Sequence, residues 1–149
     1  MTGPTLSLTG RALRLLSSRE HSRAELERKL AQYETEPGEL AKVLDSLQAK
    51  DFINEGRVVA SVLYRRAPKL GALRVKQELQ SKGLAPEAVA QAVAELRGSE
   101  LERAREVWRR KFGSPPEDAV ARGKQMRFLA SRGFGGDTIH KVVAGGEDD

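Results

Sequence analysis

Apolar side chains recur at helical spacing along almost the whole chain, and no stretch alternates with the two-residue period of a half-buried strand. The pattern therefore predicts helices throughout, and several residues mark their ends. Ser22-x-x-Glu25 reads as a capping box: the hydroxyl accepts from the backbone N–H of the glutamate, whose carboxylate accepts from the N–H of the serine. Ser99-x-x-Glu102 and Ser114-x-x-Glu117 read the same way. Pro37, Pro86 and Pro116 suit first-turn positions, where an N–H would have no helical partner. Gly83, Gly113 and Gly133 follow helical runs and can take the left-handed backbone that ends them. These signals divide the chain into about nine helices joined by short loops.

The helices repeat. Leu30, Leu79 and Leu129 stand 49 and 50 residues apart; ten residues after each comes Leu40, Val89 or Ile139, and fourteen after each comes Leu44, Val93 or Val143. Leu79-x-x-x-Gly83 matches Leu129-x-x-x-Gly133, followed by Leu84 and Phe134. Upstream, Ala12-x-x-x-Leu16, Ala60-x-x-x-Tyr64 and Ala104-x-x-x-Trp108 mark the first helix of each unit. The expected fold is all-α, with three tandem three-helix repeats near residues 8–53, 54–98 and 99–145 forming an elongated, curved array. An extended surface of that kind suits a long partner better than a small substrate.

Charge sharpens the picture. The 149 residues carry a formal charge of +5, unevenly placed: 8 basic and 8 acidic residues over 1–53, 8 against 4 over 54–98, and 10 against 9 over 99–149. From Arg57 to Lys76 there are six basic residues and no acid, and between Arg103 and Arg132 nine basic residues face three acids. A basic middle attracts nucleic acid or an acidic protein surface. On the helix that begins near Asn54, Arg57, Ser61 and Arg65 share a face, with Val58 and Val62 on a neighbouring one. Cysteine is absent, which suits a reducing cytoplasm, and neither a signal-peptide h-region nor an apolar run of membrane-spanning length is expected.

Little in the sequence points to chemistry. There is no phosphate-binding glycine loop followed by Lys and Ser or Thr, no HExxH pair and no G-x-S-x-G elbow. His21 and His140 fall in different units and read as structural or surface residues, while Glu25, Glu102 and Glu117 are explained by capping. Asp45, Glu87 and Glu95 read as ordinary exposed positions. No cofactor or metal is expected, and the chain does not read as an enzyme. Tyr64, Trp108, Phe128 and Phe134 stand in or beside the repeat register, which favours core packing over base stacking.

The repeats resemble those of the RecX family. Ser22-Arg-Ala-Glu-Leu-Glu-Arg-Lys-Leu30 is similar to its first repeat. Lys69-Leu-Gly-Ala-Leu-Arg-Val-Lys-Gln-Glu-Leu-Gln-Ser-Lys-Gly-Leu84 resembles its second, and Lys124-Gln-Met-Arg-Phe-Leu-Ala-Ser-Arg-Gly-Phe134 with Ile139 resembles its third. The junction Phe52-Ile53-Asn54-Glu55-Gly56-Arg57-Val58 departs from the family's pattern of a paired acidic step and an aromatic. The resemblance implies a modulator that binds the RecA recombinase filament on DNA and mainly inhibits its ATPase, strand-exchange and coprotease activities; separately, the chain is expected to be a monomer. From their clustering, Arg57, Arg65, Arg66, Lys69, Arg74 and Lys76 are the expected contacts, with Arg103, Arg105, Arg109, Arg122, Lys124 and Arg127 in support. Two other readings fit the same charge: a helical protein that binds DNA without a recombinase, and a scaffold that meets an acidic protein.

Overall fold

The computed structural model describes residues 6–144, and among them every regular element is helical. They run α1 (Leu8–Ser18), α2 (Arg23–Leu30, closed by a 3-10 turn at Ala31–Tyr33), α3 (Glu39–Ala49), α4 (Glu55–Arg66), α5 (Ala72–Ser81), α6 (Pro86–Arg97), α7 (Glu100–Lys111), α8 (Ala119–Ser131) and α9 (Gly136–Val143). Residue 145, assigned to the third unit from the sequence, lies outside the described residues.

Three separate apolar clusters hold these helices. Ala12, Leu26, Leu30, Leu44 and Ile53 lie in the first; Val58, Val62, Val75, Leu79 and Val93 in the second; Ala104, Leu129, Phe134, Ile139 and Val143 in the third. The anchor leucines Leu30, Leu79 and Leu129 are 2%, 0% and 0% exposed, so the shared spacing marks equivalent places in three small cores. One register differs from the sequence reading. Ala60 is exposed and Tyr64 is 85% exposed, because α4 turns Val58 and Val62 inward instead. Both pairs have the same four-residue spacing, and the β-branched pair carries the larger apolar surface. Trp108 and Phe134 do pack inside: Phe134 is buried, and half-buried Trp108 donates from Nε1 to Gln125 Oε1 at 2.8 Å.

Two of the three proposed capping boxes do not form. Ser22 behaves as expected, accepting from Glu25 N at 3.1 Å while its own N–H donates to Glu25 Oε1 at 2.9 Å. Ser99 precedes α7, but its hydroxyl donates to the Leu96 carbonyl at 3.3 Å and accepts from Arg103 Nε at 3.0 Å. Ser114 caps nothing, since Pro115 and Pro116 bias the backbone before them away from the helical region. Asp118 takes over, its carboxylate accepting from Ala121 N at 2.8 Å. Pro86 opens α6, whereas Pro37 and Pro116 stand ahead of α3 and α8.

The junction that departs from the family pattern is closed by its own device. Asp51 takes φ +68°, and Asn54 caps α4 by accepting from Arg57 N at 2.9 Å. Arg57 then folds back onto the Asp51 carbonyl at 2.6 Å and Asp51 Oδ2 at 3.0 Å, with Nε on Glu20 Oε2 at 3.0 Å.

Candidate partner-binding surface

Neighbouring units are joined by one recurring contact: the C-terminal turn of each unit's second helix docks at the start of the preceding unit's second helix. In the first case Ser22 Oγ, at the start of α2, donates to the Lys82 carbonyl at 2.6 Å, and Arg28 reaches in from the last turn of α2 to donate from Nη2 to the Ser81 carbonyl at 2.9 Å. In the second, Gly71 N donates to the Arg132 carbonyl at 2.7 Å, Leu73 N to Gly133 O at 3.2 Å and Arg74 Nη1 to Ser131 O at 2.6 Å. Ser81-Lys82-Gly83 and Ser131-Arg132-Gly133 are thus the same docking turn, ended by glycines at φ +69° and +90°.

The joint between the first and second units also holds a buried polar group. Glu25 is 7% exposed and receives Arg19 Nη2 at 3.0 Å and Lys82 Nζ at 3.1 Å. Burial by itself pushes the Glu25 carboxyl up, but Arg19, the Ser22 N–H and Lys82 outweigh it and hold the pKa down at about 2. Beside it His21 is 1% exposed, with Nδ1 at 3.1 Å from the Arg19 carbonyl and Nε2 at 3.3 Å from Lys29 Nζ. Those partners fit a neutral ring that donates from Nδ1 and accepts at Nε2. Burial is the main reason that its pKa is lowered. His140, by contrast, is exposed.

The second joint carries Arg103, whose guanidinium sits on three carbonyls, those of Ala67 at the end of α4 at 2.8 Å, of Leu70 in the following loop at 2.6 Å and of Leu96 in the last turn of α6 at 2.9 Å. Burial lowers its pKa, with the Glu100 charge acting in the opposite direction. Arg103→Ala removes a charged donor from all three carbonyls, and urea denaturation should show a loss of about 2 kcal/mol.

The basic residues expected to meet a partner divide by how far the fold already occupies them. Arg57 and Arg103 are held as described, and Arg74 by Ser131. Arg65 and Arg66 converge on Glu78, at 3.8 and 2.9 Å, while Arg109 pairs with Glu106 at 2.8 Å. Arg105 is half-buried and engaged within the fold. Lys69, Lys76, Arg122, Lys124 and Arg127 are exposed.

Where the second and third units meet, the structure gathers part of this set around a shallow hollow of about 800 Å³, lined by Leu63, Tyr64, Arg65, Pro68, Lys69, Arg103 and Arg110 with two acids, Glu102 and Glu106. A smaller recess of about 290 Å³ continues it past Lys111 to Phe128 and Arg132. The Arg132 guanidinium lies 4.6 Å, and the Lys111 ammonium 5.3 Å, from the centre of the Phe128 ring. Glu106 is neutralised locally by Arg109 and Arg110. Exposed Tyr64, Arg110, Lys111 and Arg132 were not among the contacts expected from the sequence. The three cations have as their only signal there membership of the basic run that ends at Arg132, while Tyr64 reads as a core position of the repeat register. The hollow can take up negative charge beside an aromatic or apolar group. Among the described residues no three His, Cys, Asp or Glu side chains gather into a metal site, and no helix is long and apolar enough to cross a membrane.

Comparison with known proteins decides the family. Residues 10–47 match the model of the first three-helix domain of RecX, and residues 99–143 that of the third. The regulatory protein RecX of Leptothrix cholodnii is 54% identical over 140 residues, covering 94% of this chain and 89% of its own. The chain belongs to the RecX family. Regulatory proteins RecX of Ralstonia nicotianae and Herminiimonas arsenicoxydans are 42% and 45% identical, over 95% and 97% of this chain and 89% and 95% of theirs. A crystal structure of RecX from Lactobacillus salivarius superposes with a TM-score of 0.74 at 19% identity, covering 93% of both chains. A second, of regulatory protein RecX, gives 0.75 at 18% identity, covering 97% of this chain and 82% of the other. At those identities the structures speak for the shared fold, a helical repeat. The RecX relatives are named as regulatory proteins, and this chain takes its place among them through residues that run from the first helix of the array to the last.

Proposed function

We propose that this RecX-family chain regulates a RecA-type recombinase. It binds the recombinase filament on DNA and restrains its ATPase, strand exchange and coprotease activities without chemistry of its own. The observation that carries this reading is family membership along the whole array. The basic, aromatic-bearing hollow between α4, α7 and α8 supports it, because it offers positive charge across two units at once. We assign the units to residues 8–53, 54–98 and 99–145, so that a monomer of the cytoplasmic protein presents three linked contact surfaces. Successive contacts of linked units to neighbouring filament subunits raise the effective concentration of each other. DNA phosphates lining the filament groove are a second, salt-sensitive contact.

Titrating the chain into the DNA-dependent ATPase assay of the cognate recombinase tests the reading. Suppression at fewer than one chain per recombinase subunit is the expected result. No suppression in excess, with unchanged affinity for bare DNA, would instead mark a DNA-binding protein that acts alone. The double variant Tyr64→Ala, Lys69→Glu changes two exposed side chains of the hollow, and it is expected to raise the half-inhibiting concentration about tenfold with helicity unchanged. This pair probes the hollow better than reversal at Arg65 or Arg66, which would set new carboxylates against Glu78.

A further inference from the structure

The surface between α5 and α6 of the second unit is open, while its counterpart in the first unit is filled. At a separation of 49 residues, Ala72, Lys76, Ala94 and Arg97 correspond to Arg23, Glu27, Asp45 and Gln48. In the first unit Arg23 lies across the α2–α3 surface and ties it together. Its Nη1 reaches Asp45 Oδ1 at 2.7 Å and Gln48 Oε1 at 2.6 Å, its Nη2 donates to Ala41 O at 3.3 Å, and its Nε stands 3.4 Å from Glu27 Oε2. The second unit has the same helices with the opposite equipment. The arginine is replaced by buried Ala72, the acids by Lys76 and Ala94, and the amide by Arg97.

What remains is a groove of about 530 Å³. Its floor is Leu84, Val89 and Val93, its open side carries the exposed Ala90 and Ala94, and Lys76 and Arg97 stand on its rims. Among the described residues neither rim cation has an ion pair, and no acidic side chain lines the groove. We propose that this groove binds an acidic segment of a partner protein, whose carboxylates pair with Lys76 and Arg97 while an apolar side chain covers the Ala90–Ala94 strip. The first unit shows that side-chain charge bridges this surface of the repeat. With the sign of the rim inverted, the complement is a carboxylate supplied from outside. An apolar floor between two cations favours a peptide over a nucleic acid strand, since a phosphate backbone brings no apolar group to cover Val89 and Val93. The proposal uses residues apart from the hollow at the second joint and does not rest on the recombinase reading.

The test uses the full chain labelled with nitrogen-15 and a helical peptide of about fifteen residues, Glu on one face and Ala and Leu on the other. A second peptide carries Gln in place of each Glu. The acidic peptide is expected to shift the amide resonances of Lys76, Gln80, Ala90, Ala94 and Arg97. Affinity should fall about tenfold for the Gln peptide, for the Lys76→Glu, Arg97→Glu variant and for Ala94→Asp, which restores the acid of the first unit. All three positions are exposed, and unchanged circular dichroism verifies that the variants fold. Shifts centred elsewhere, equal binding of the Gln peptide, or indifference to charge reversal would overturn the proposal. So would a single-stranded oligonucleotide that moves the same resonances at lower concentration than the peptide. Recombinase ATPase suppression by Ala94→Asp, which leaves every expected filament contact in place, is a separate readout, so failure here is distinguishable from failure of the filament reading.

Discussion

Glu25→Ala is expected to cost about 3–5 kcal/mol, because it strands the buried Lys82 ammonium and removes half of the capping box of α2 in one step. Its carboxylate ties Arg19 and Lys82, from two different units, to the start of α2. The pH dependence carries the same information. The folded pKa of about 2 lies below the ordinary 4.5, so the folded state holds the proton more weakly than the unfolded chain. The resulting stabilisation is fully present above pH 4.5 and is lost as pH falls through the folded value near 2; the difference corresponds to about 3 kcal/mol. His21 acts in the same direction at higher pH: its folded pKa is lowered, so the stability it lends is complete above 6.5 and declines as acid protonates the ring. Urea unfolding of the wild type between pH 8 and 2 should therefore show loss below 6.5 and a further loss below 4.5. Glu25→Ala should lose most of the lower step, leaving the smaller acid loss from exposed Asp51, whose pKa is lowered by hydrogen bonds from Asn54 and Arg57. Parallel curves for the two proteins would mean that the Glu25 cluster contributes nothing to the joint.

Gly133→Ala should separate the third unit from the second. Gly133 sits at φ +90°, and an added Cβ would meet the backbone nitrogen and Cβ of Arg74, each at 2.6 Å. Backbone strain and the clash together are expected to cost about 2–4 kcal/mol. Hydrogen exchange locates the damage: the amides of Gly71 and Leu73, bonded to Arg132 O and Gly133 O, should lose protection before those of the second core around Leu79. Gly136→Ala is the control. Nothing lies within 4 Å of a Cβ there and the residue opens α9, so stability should be unchanged or slightly raised. Equal loss of protection in both variants would show that crowding at Arg74 is not what fixes Gly133.

The anchors of the fold were legible because burial and spacing coincide. Leu44, Val93 and Val143 share one register and are 0%, 8% and 1% exposed. Spacing failed where two faces of one helix offered it equally: Ala60 with Tyr64 and Val58 with Val62 are indistinguishable by period, and packing chose the second pair. Capping motifs failed where a neighbour competed, as Asp118 did with Ser114, or where a hydroxyl found another partner, as Ser99 did in Leu96 and Arg103. The charge map was legible only as a map. Whether Arg57 or Arg103 faces a partner depends on acceptors 37, 36 and 33 residues away in the chain, at Glu20, Ala67 and Leu70. Charge clustering carries no information about such distant acceptors. The groove of the second unit was half visible, through Lys76. Arg97 gives no such signal, because it stands alone at the end of α6, outside both basic runs.

The docking turn also has a grammar of beginnings and ends. The start of α2 receives one such turn and the start of α5 another, and both starts offer an uncharged residue, Ser22 or Gly71, to the incoming carbonyl. The start of α8 is already satisfied by Asp118, and its carboxylate would face an arriving carbonyl oxygen with like sign. At the other extreme α2 ends in the 3-10 turn Ala31–Tyr33, where the glycine of the later turns is missing. Among the described residues the contact that strings the units together is therefore made twice, with an aspartate where a third socket would stand and no glycine-ended turn where a third plug would stand.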